Sequence, residues 1–214
     1  MILLLGGIKG GTGKSTLATN LAVLRSSKGY KTLLIDADDQ CSSTDWFKQR
    51  KEYFKDKKEK HVLEVATIQG KNLYAHVEKF KSKYKDIIID AGGRDTASQR
   101  SALSIADTYL IPFRPRSFDV WTLQQVRKLY EEVKEINPKL KACVVINQAD
   151  PRGIDNTTAY DILTEIPQFK GMMVFITYRK SFANASADGL AVTERGTDQK
   201  AREEIWNLYH AIYD

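Results

Sequence analysis

The sequence predicts one α/β domain spanning residues 1–214, doubly wound, with a mostly parallel sheet covered by helices on both faces. Two observations predict this class. Short runs of Ile, Leu and Val recur without polar alternation, which is typical of strands that are buried on both faces. Helix-like stretches separate these runs, and strand–helix alternation along a whole chain indicates a parallel sheet joined by helical crossovers.

Six strands and six helices are predicted in alternation. The predicted strands cover residues 2–5, 32–35, 86–89, 108–111, 141–146 and 173–177. The predicted helices cover residues 14–28, 72–83, 99–106, 118–136, 157–165 and 200–213. Because right-handed crossovers bring the carboxyl ends of parallel strands to one edge of the sheet, we expect a ligand to bind along that edge.

Composition and charge narrow the class of protein further. Cys41 and Cys143 lie far apart and form no Cys/His cluster, which argues against a zinc or iron–sulfur site and indicates free thiols in a reducing cytosol. The opening MILLLGGIKGG has too short an apolar run for a bilayer span, so we expect a buried first strand and no targeting signal. The net charge of +6 permits contact with DNA phosphates or an anionic membrane but requires neither.

One segment, KQRKEYFKDKKEK at residues 48–60, is strongly basic. Two interpretations remain open for it. The segment is either the solvated face of a helix or loop with mixed charges, or an electrostatic contact surface for DNA or a partner protein.

Residues 9–16, KGGTGKST, follow the first predicted strand and lead directly into a predicted helix. The three glycines allow backbone N–H groups to turn toward phosphate oxygens, and the helix N-terminus adds further donors. Lys14 can then neutralise the β- and γ-phosphates, and the Ser15 hydroxyl can bind Mg²⁺. The predicted phosphate-binding residues are Gly10, Gly11, Thr12, Gly13, Lys14, Ser15 and Thr16.

This loop departs from the pattern G-x-x-x-x-G-K-[ST], because Ile8 stands at the first glycine position and an extra lysine, Lys9, follows it. In this form it resembles the deviant Walker A loop of the ParA/MinD/nitrogenase-iron-protein class of P-loop NTPases. The resemblance implies ATP and Mg²⁺ as cofactors and a homodimer that forms on ATP binding. It also implies that Lys9 reaches across the dimer to the phosphates of the partner's nucleotide.

Acidic residues follow the second and third predicted strands. Asp36 and Asp38 in LLIDADDQ point to the same side of an extended chain. The segment resembles the family's D-x-D-P-Q, with Asp39 in place of proline. By this resemblance Asp38 orients the attacking water and Asp36 helps to arrange Mg²⁺, although the spacing alone also fits an acidic turn.

Asp90 in DIIIDAGG matches the Walker B aspartate of the family, which holds Mg²⁺ through water. Three neighbouring carboxylates are costly unless Mg²⁺ and Lys14 balance their charge. The expected metal-site residues are Ser15, Asp36 and Asp90. The glycine pair after Asp90 is expected to form the loop that senses the γ-phosphate.

By the same resemblance, Asn147 at a strand end is expected to bind the base, and ITYRKSFANASADGLAV to flank adenine. A side-chain amide at this position is also common turn chemistry.

The resemblance covers essentially the whole chain and is greatest to the short plasmid-partition ParA proteins. It implies a cytoplasmic, nucleoid-associated ATPase of slow intrinsic turnover that partitions DNA. A centromere-binding partner of the ParB or ParG kind is expected to stimulate hydrolysis, and DNA binding is expected to be non-specific and salt-dependent. The candidate DNA contacts are Arg179, Lys180, Arg195, Lys200 and Arg202.

Two alternatives share the predicted fold. A MinD-like positioning ATPase usually ends in a basic membrane-binding helix, whereas KAREEIWNLYHAIYD has mixed charge and an apolar stripe. We therefore expect a last helix packed on the core and no membrane partner. A metabolic P-loop ligase does not generally combine the extra lysine with the D-x-D segment.

Overall fold

The computed structural model describes residues 1–57, 63–115, 117–151, 155–164 and 166–214. The strands are β1 (Ile2–Leu5), β2 (Thr32–Asp36), β3 (Glu64–Thr67), β4 (Asp86–Asp90), β5 (Thr108–Phe113), β6 (Lys141–Ala149) and β7 (Phe169–Thr177). The helices are α1 (Lys14–Ser27), α2 (Ser42–Phe54), α3 (Leu73–Phe80), α4 (Ala97–Leu103), α5 (Ser117–Lys134), α6 (Asp155–Thr164), α7 (Lys180–Ala187), α8 (Val192–Arg195) and α9 (Gln199–Tyr213).

The described strands form one sheet in the order β3-β2-β4-β1-β5-β6-β7, and every pairing between them is parallel. The predicted fold class and all six predicted strands are confirmed. The prediction missed β3, because this edge strand is half exposed and its sequence, EVAT, contains no apolar run. It also missed three helices: α2, whose sequence is strongly polar, and α7 and α8, which are only eight and four residues long.

The side chains of β1 alternate between two cores, one on each face of the sheet. Ile2 and Leu4 belong to the core beneath α3, α4, α5 and α6. Leu3 and Leu5 belong to the core beneath α1, α2, α7, α8 and α9. The predicted packing of the last helix is confirmed, since its apolar stripe lies in the second core. Within the described residues, no helix is long and apolar enough to cross a bilayer.

The basic segment at residues 48–60 is described as far as Lys57, and its last three residues lie outside the described ranges. Its first half belongs to α2, where exposed lysines pair with nearby acids: Lys48 with Asp45 at 2.7 Å and Lys55 with Glu52 at 3.7 Å. The described part is therefore an exposed face with mixed charges, and its use as a contact surface for DNA or a partner protein stays a prediction.

Arg50 in the same segment is buried, with 1% of its side chain exposed. Its guanidinium donates two hydrogen bonds of 2.8 Å to the carboxylate of Glu194 and one of 3.2 Å to the carbonyl oxygen of Gly189. It also lies over the rings of Trp46 and Phe54. The pair thus joins α2 to α8, and Gly189, with φ of 69°, fits against the backbone of Arg50 where a Cβ would clash.

We predict that Arg50→Met lowers the free energy of unfolding by about 3 kcal/mol, because it leaves the Glu194 carboxylate without its partner. Urea denaturation of the nucleotide-free protein measures this loss. The control is Arg127→Met, which breaks an exposed pair with Glu131 and should cost less than about 0.5 kcal/mol. Equal losses in the two variants would contradict the prediction.

Candidate nucleotide-binding site

A cavity of about 650 Å³ lies at the carboxyl ends of the central strands, on the edge predicted to bind a ligand. Its lining includes Gly10, Gly11, Gly13, Lys14, Ser15, Thr16, Asp38, Gly92, Gly93, Arg94 and Gln148. The predicted site residues that do not line it are Lys9, Thr12, Asp36, Asp90 and Asn147. The structure therefore brings most of the predicted phosphate-binding residues to one cavity and places the others around it.

The glycine-rich loop takes a conformation that its glycines permit. Gly11 and Gly13 have φ of 73° and 87°, in the left-handed region where a side chain is strained. A Cβ on Gly13 would also lie 2.2 Å from the Asn147 side-chain nitrogen. Directly after Gly13, α1 begins at Lys14, so the N–H groups of its first turn face the cavity end of the loop.

Two side chains from the end of β6 support this loop. The Asn147 amide donates a 2.6 Å hydrogen bond to the carbonyl oxygen of Thr12, and the Gln148 amide donates one of 2.8 Å to that of Gly11. Asn147 is only 4% exposed and lies behind the loop. In this arrangement Asn147 supports the glycine-rich loop, a contact that was not predicted, and its binding of the base stays a prediction.

Lys14 is buried and its side chain is held within the loop. Its Nζ donates a 3.1 Å hydrogen bond to the carbonyl oxygen of Lys9. Burial lowers the pKa of Lys14, while the charges of Asp90 and Asp38 oppose this shift. Lys14 thus lies between the loop and the carboxylates, and its role toward the phosphates stays a prediction.

Asp90 is fully buried at the end of β4. Its Oδ2 accepts a 2.6 Å hydrogen bond from the hydroxyl of Ser43, at the start of α2, and Ser15 also donates to the carboxylate. Its Oδ1 is buried and makes no hydrogen bond with the described residues. Burial raises the pKa of Asp90 to about 7 despite these donors and Lys14.

Asp36, also fully buried, accepts hydrogen bonds on both oxygens. The backbone N–H of Thr44 donates at 2.7 Å and that of Asp38 at 3.2 Å, so the carboxylate holds the turn between β2 and α2. Burial raises its pKa. Asp38 lies in the cavity, and a Cβ on Gly92 would be 3.1 Å from its Oδ1. The predicted roles of both aspartates stay predictions.

The residues around Asp90 fit a magnesium ion that is bound together with a nucleotide. Within the described part of the chain, no three His, Cys, Asp or Glu side chains are grouped so as to hold a metal by themselves. Mg²⁺, however, commonly takes one or two protein oxygens plus phosphate and water oxygens. The unpartnered Asp90 Oδ1 and the neighbouring Ser15 hydroxyl are ligands of this kind.

The loop after Asp90 contacts the glycine-rich loop through its backbone. A Cβ on Gly93 would lie 2.6 Å from the backbone nitrogen of Gly10, so only glycine fits there without displacement. This close approach joins the two loops that the sequence assigned to the phosphates.

Sequence reasoning missed two contacts that shape the site, those of Ser43 and Gln148. Ser43 stands in a polar run, CSST, for which neither a helix nor a site residue was predicted. Gln148 adjoins the predicted Asn147, but its positive φ of 55° has no sequence signal beyond a polar pair at a strand end.

Two of the predicted DNA-contact residues are engaged with acids. Arg179 donates to Glu204 at 3.1 Å and lies 3.7 Å from Asp198, and Arg195 pairs with Asp188. Lys180, Lys200 and Arg202 are exposed.

Comparison with known proteins agrees with this geometry. A family model, CbiA, described as the CobQ/CobB/MinD/ParA nucleotide binding domain, matches residues 3–192. The maintenance of carboxysome distribution protein A of Halothiobacillus neapolitanus is 26% identical to the chain over 212 residues, which are 98% of this chain and 95% of that protein.

Two solved structures show the same fold. Apo McdA of Cyanothece matches with a TM-score of 0.80 at 18% identity, over 99% of this chain and 98% of that one. A putative plasmid partition protein of Borrelia burgdorferi B31, bound to AMPPNP, matches with a TM-score of 0.76 at 24% identity, over 98% and 97% of the two chains.

The raised pKa of Asp90 predicts a pH dependence of stability. Between about pH 4 and about pH 7 the folded protein keeps a proton that the unfolded chain has released, so the free energy of unfolding falls as pH rises through this window. Asp90→Asn removes the titrating group. We expect its stability advantage over the wild type to grow across this window to a few kcal/mol, on the order of 3.

Chemical denaturation at several pH values, without nucleotide or metal, measures this difference. Asp45→Asn is the matched control, because Asp45 is exposed on α2 and should leave the slope unchanged. A parallel pH profile for Asp90→Asn and the wild type would show that Asp90 is ionised throughout.

Proposed function

Because the chain belongs to the CobQ/CobB/MinD/ParA nucleotide-binding family, we propose that it is an ATPase of the ParA kind that partitions DNA. The observation that carries the proposal is the arrangement of Lys14, Asp38 and the glycine-rich loop around one cavity, with Lys9 immediately outside its lining. ATP binds there with Mg²⁺, two copies associate, and the dimer binds DNA through phosphates. A centromere-binding partner then stimulates hydrolysis and release.

The chain's own residues supply binding, orientation and charge. The backbone N–H groups of the glycine-rich loop and of the first turn of α1 bind phosphate oxygens. Lys14 neutralises the β- and γ-phosphates. To do so, its Nζ gives up the hydrogen bond to the Lys9 carbonyl oxygen and donates to phosphate oxygens instead. Asp38 orients the attacking water. Mg²⁺, when bound through Ser15 and Asp90, offsets charge on the phosphates.

The position of Lys9 supports a role toward the partner's nucleotide. Lys9 is the first residue of the loop and lines a small apolar cleft beside β5 and α5 instead of the nucleotide cavity of its own chain. A lysine placed at this boundary suits contact with a second nucleotide across a dimer interface. ATP then links dimerisation to occupancy of both sites.

Exposed cations near the start of α7 and α9 support non-specific DNA binding. Lys180, Lys200 and Arg202 are the exposed members of the predicted set, whereas Arg179 and Arg195 are held by acids. Binding through phosphates predicts an affinity that falls linearly with the logarithm of salt concentration.

A second candidate function is the distribution of a protein-based cargo. The relative that matches 98% of this chain is named for the maintenance of carboxysome distribution. The same ATP and DNA cycle serves such a role, and only the partner and the cargo differ. Identifying the protein that stimulates hydrolysis separates this candidate from plasmid partition, and binding to anionic vesicles instead of DNA would favour a MinD-like role.

We predict that the wild type binds random duplex DNA with ATP but not with ADP, and that Lys9→Ala loses this binding. The affinity of monomeric Lys9→Ala for nucleotide should stay within about threefold of the wild-type value. In Lys14→Ala the nucleotide affinity should fall about tenfold or more. Fluorescent-DNA titration across a salt series, with sedimentation for the dimer, measures these outcomes.

Lys79→Ala, an exposed position on α3, is the matched control and should behave as wild type. If the protein binds ATP but not DNA at low salt, DNA partition is the wrong function. If Lys9→Ala still dimerises and binds DNA, the role of Lys9 across the interface is wrong.

A further inference from the structure

Arg94 is an exposed cation on the lining of the nucleotide cavity. It follows the glycine pair after Asp90, in the loop that leads into α4. Among the residues that the structure describes, none forms a hydrogen bond or ion pair with the Arg94 guanidinium. The cavity therefore has a positively charged side chain that the fold itself does not use.

The loop that carries Arg94 is fixed on both sides. Before it, Gly93 lies against the glycine-rich loop, where a Cβ would be 2.6 Å from the Gly10 nitrogen and 2.7 Å from the Lys9 carbonyl carbon. After it, Thr96 caps α4 by accepting a 3.1 Å hydrogen bond from the backbone N–H of Gln99. The backbone is thus held by contacts on either side of Arg94, which suits a preorganised contact.

The adjacent acid does not neutralise Arg94. Both carboxylate oxygens of Asp95 accept hydrogen bonds from Arg100, at 2.7 Å and 2.6 Å, and Arg100 also reaches Glu132 at 3.1 Å. This bidentate pair turns Asp95 toward α4. The Arg94 guanidinium therefore remains available to a ligand bound in the cavity.

The charge balance of the cavity favours a second cation beside Lys14. Asp38 and Asp39 line the cavity and Asp90 lies behind it, while ATP adds the charge of its γ-phosphate. Arginine offers a planar set of donors that matches two phosphate oxygens at once. ADP has no γ-phosphate, so a contact of this kind distinguishes the two nucleotides.

We propose that Arg94 is a catalytic residue that binds the γ-phosphate of ATP, an assignment that rests on the ATPase function proposed above. In hydrolysis the oxygen of water bonds to the γ-phosphorus, and the bridging oxygen leaves on ADP with the electron pair of the broken bond. The protons of water end on the released phosphate and in solvent. Arg94 stays protonated and stabilises the charge on the equatorial oxygens.

The test compares Arg94→Ala and Arg94→Lys with the wild type in equilibrium binding and in turnover. Binding is measured with AMPPNP and with ADP, each with Mg²⁺, and turnover as phosphate release. For Arg94→Ala we expect AMPPNP affinity to fall about tenfold or more, ADP affinity to stay unchanged, and turnover to fall about 100-fold or more. Arg94→Lys should retain part of both, because lysine keeps the charge but not the planar donor set.

Arg127→Ala on α5 is the control, since this arginine pairs with Glu131 outside the cavity and should leave both readouts unchanged. An unaltered AMPPNP-to-ADP affinity ratio in Arg94→Ala overturns the assignment, whatever its turnover. An equal loss of both nucleotides also overturns it, since a damaged cavity and not a lost γ-phosphate contact explains that result. If the wild type itself binds neither nucleotide, the ATPase function fails, and the assignment with it.

Discussion

The buried carboxylate of Asp90 is the constraint on which the arrangement of the site depends. A fully buried acid is costly to ionise unless donors and cations surround it, and burial raises the pKa of Asp90 to about 7 even with such groups present. Ser43 from α2, and Ser15 and Lys14 from α1, supply part of this compensation. The start of α2, the start of α1 and the end of β4 are consequently held around one point at the edge of the sheet.

The fold and the phosphate site could be predicted because their signals are local. A buried parallel strand is a continuous apolar run, and a phosphate loop needs glycines, a lysine and a hydroxyl at fixed spacing directly before a helix. The edge strand Glu64–Thr67 escaped prediction because solvent exposure removes that apolar signal. Short helices such as Lys180–Ala187 are stabilised by packing more than by their own sequence pattern.

The remaining features of the site depend on contacts between distant parts of the chain. Ser43 matters because the turn after β2 brings it to Asp90, 47 residues further along the chain. Gln148 reaches Gly11 over 137 residues. In the sequence, Arg94 is one charged loop residue beside an acid, Asp95. Only the structure shows that Asp95 pairs with Arg100 and not with Arg94. Local sequence spacing cannot predict such contacts, because each of them depends on the order of the strands in the sheet.

The strand order also determines how long each strand waits during synthesis for the strands with which it pairs. The first strand is central, and both of its neighbours, β4 and β5, lie more than 80 residues later in the sequence. During translation β1 therefore leaves the ribosome long before any strand exists with which it can pair. An apolar segment with two unpaired edges is prone to aggregate while it waits, and non-local parallel pairing is slow to form. The nascent chain thus depends on the early helix α1, which directly follows β1 and packs against it, for its first protection from water.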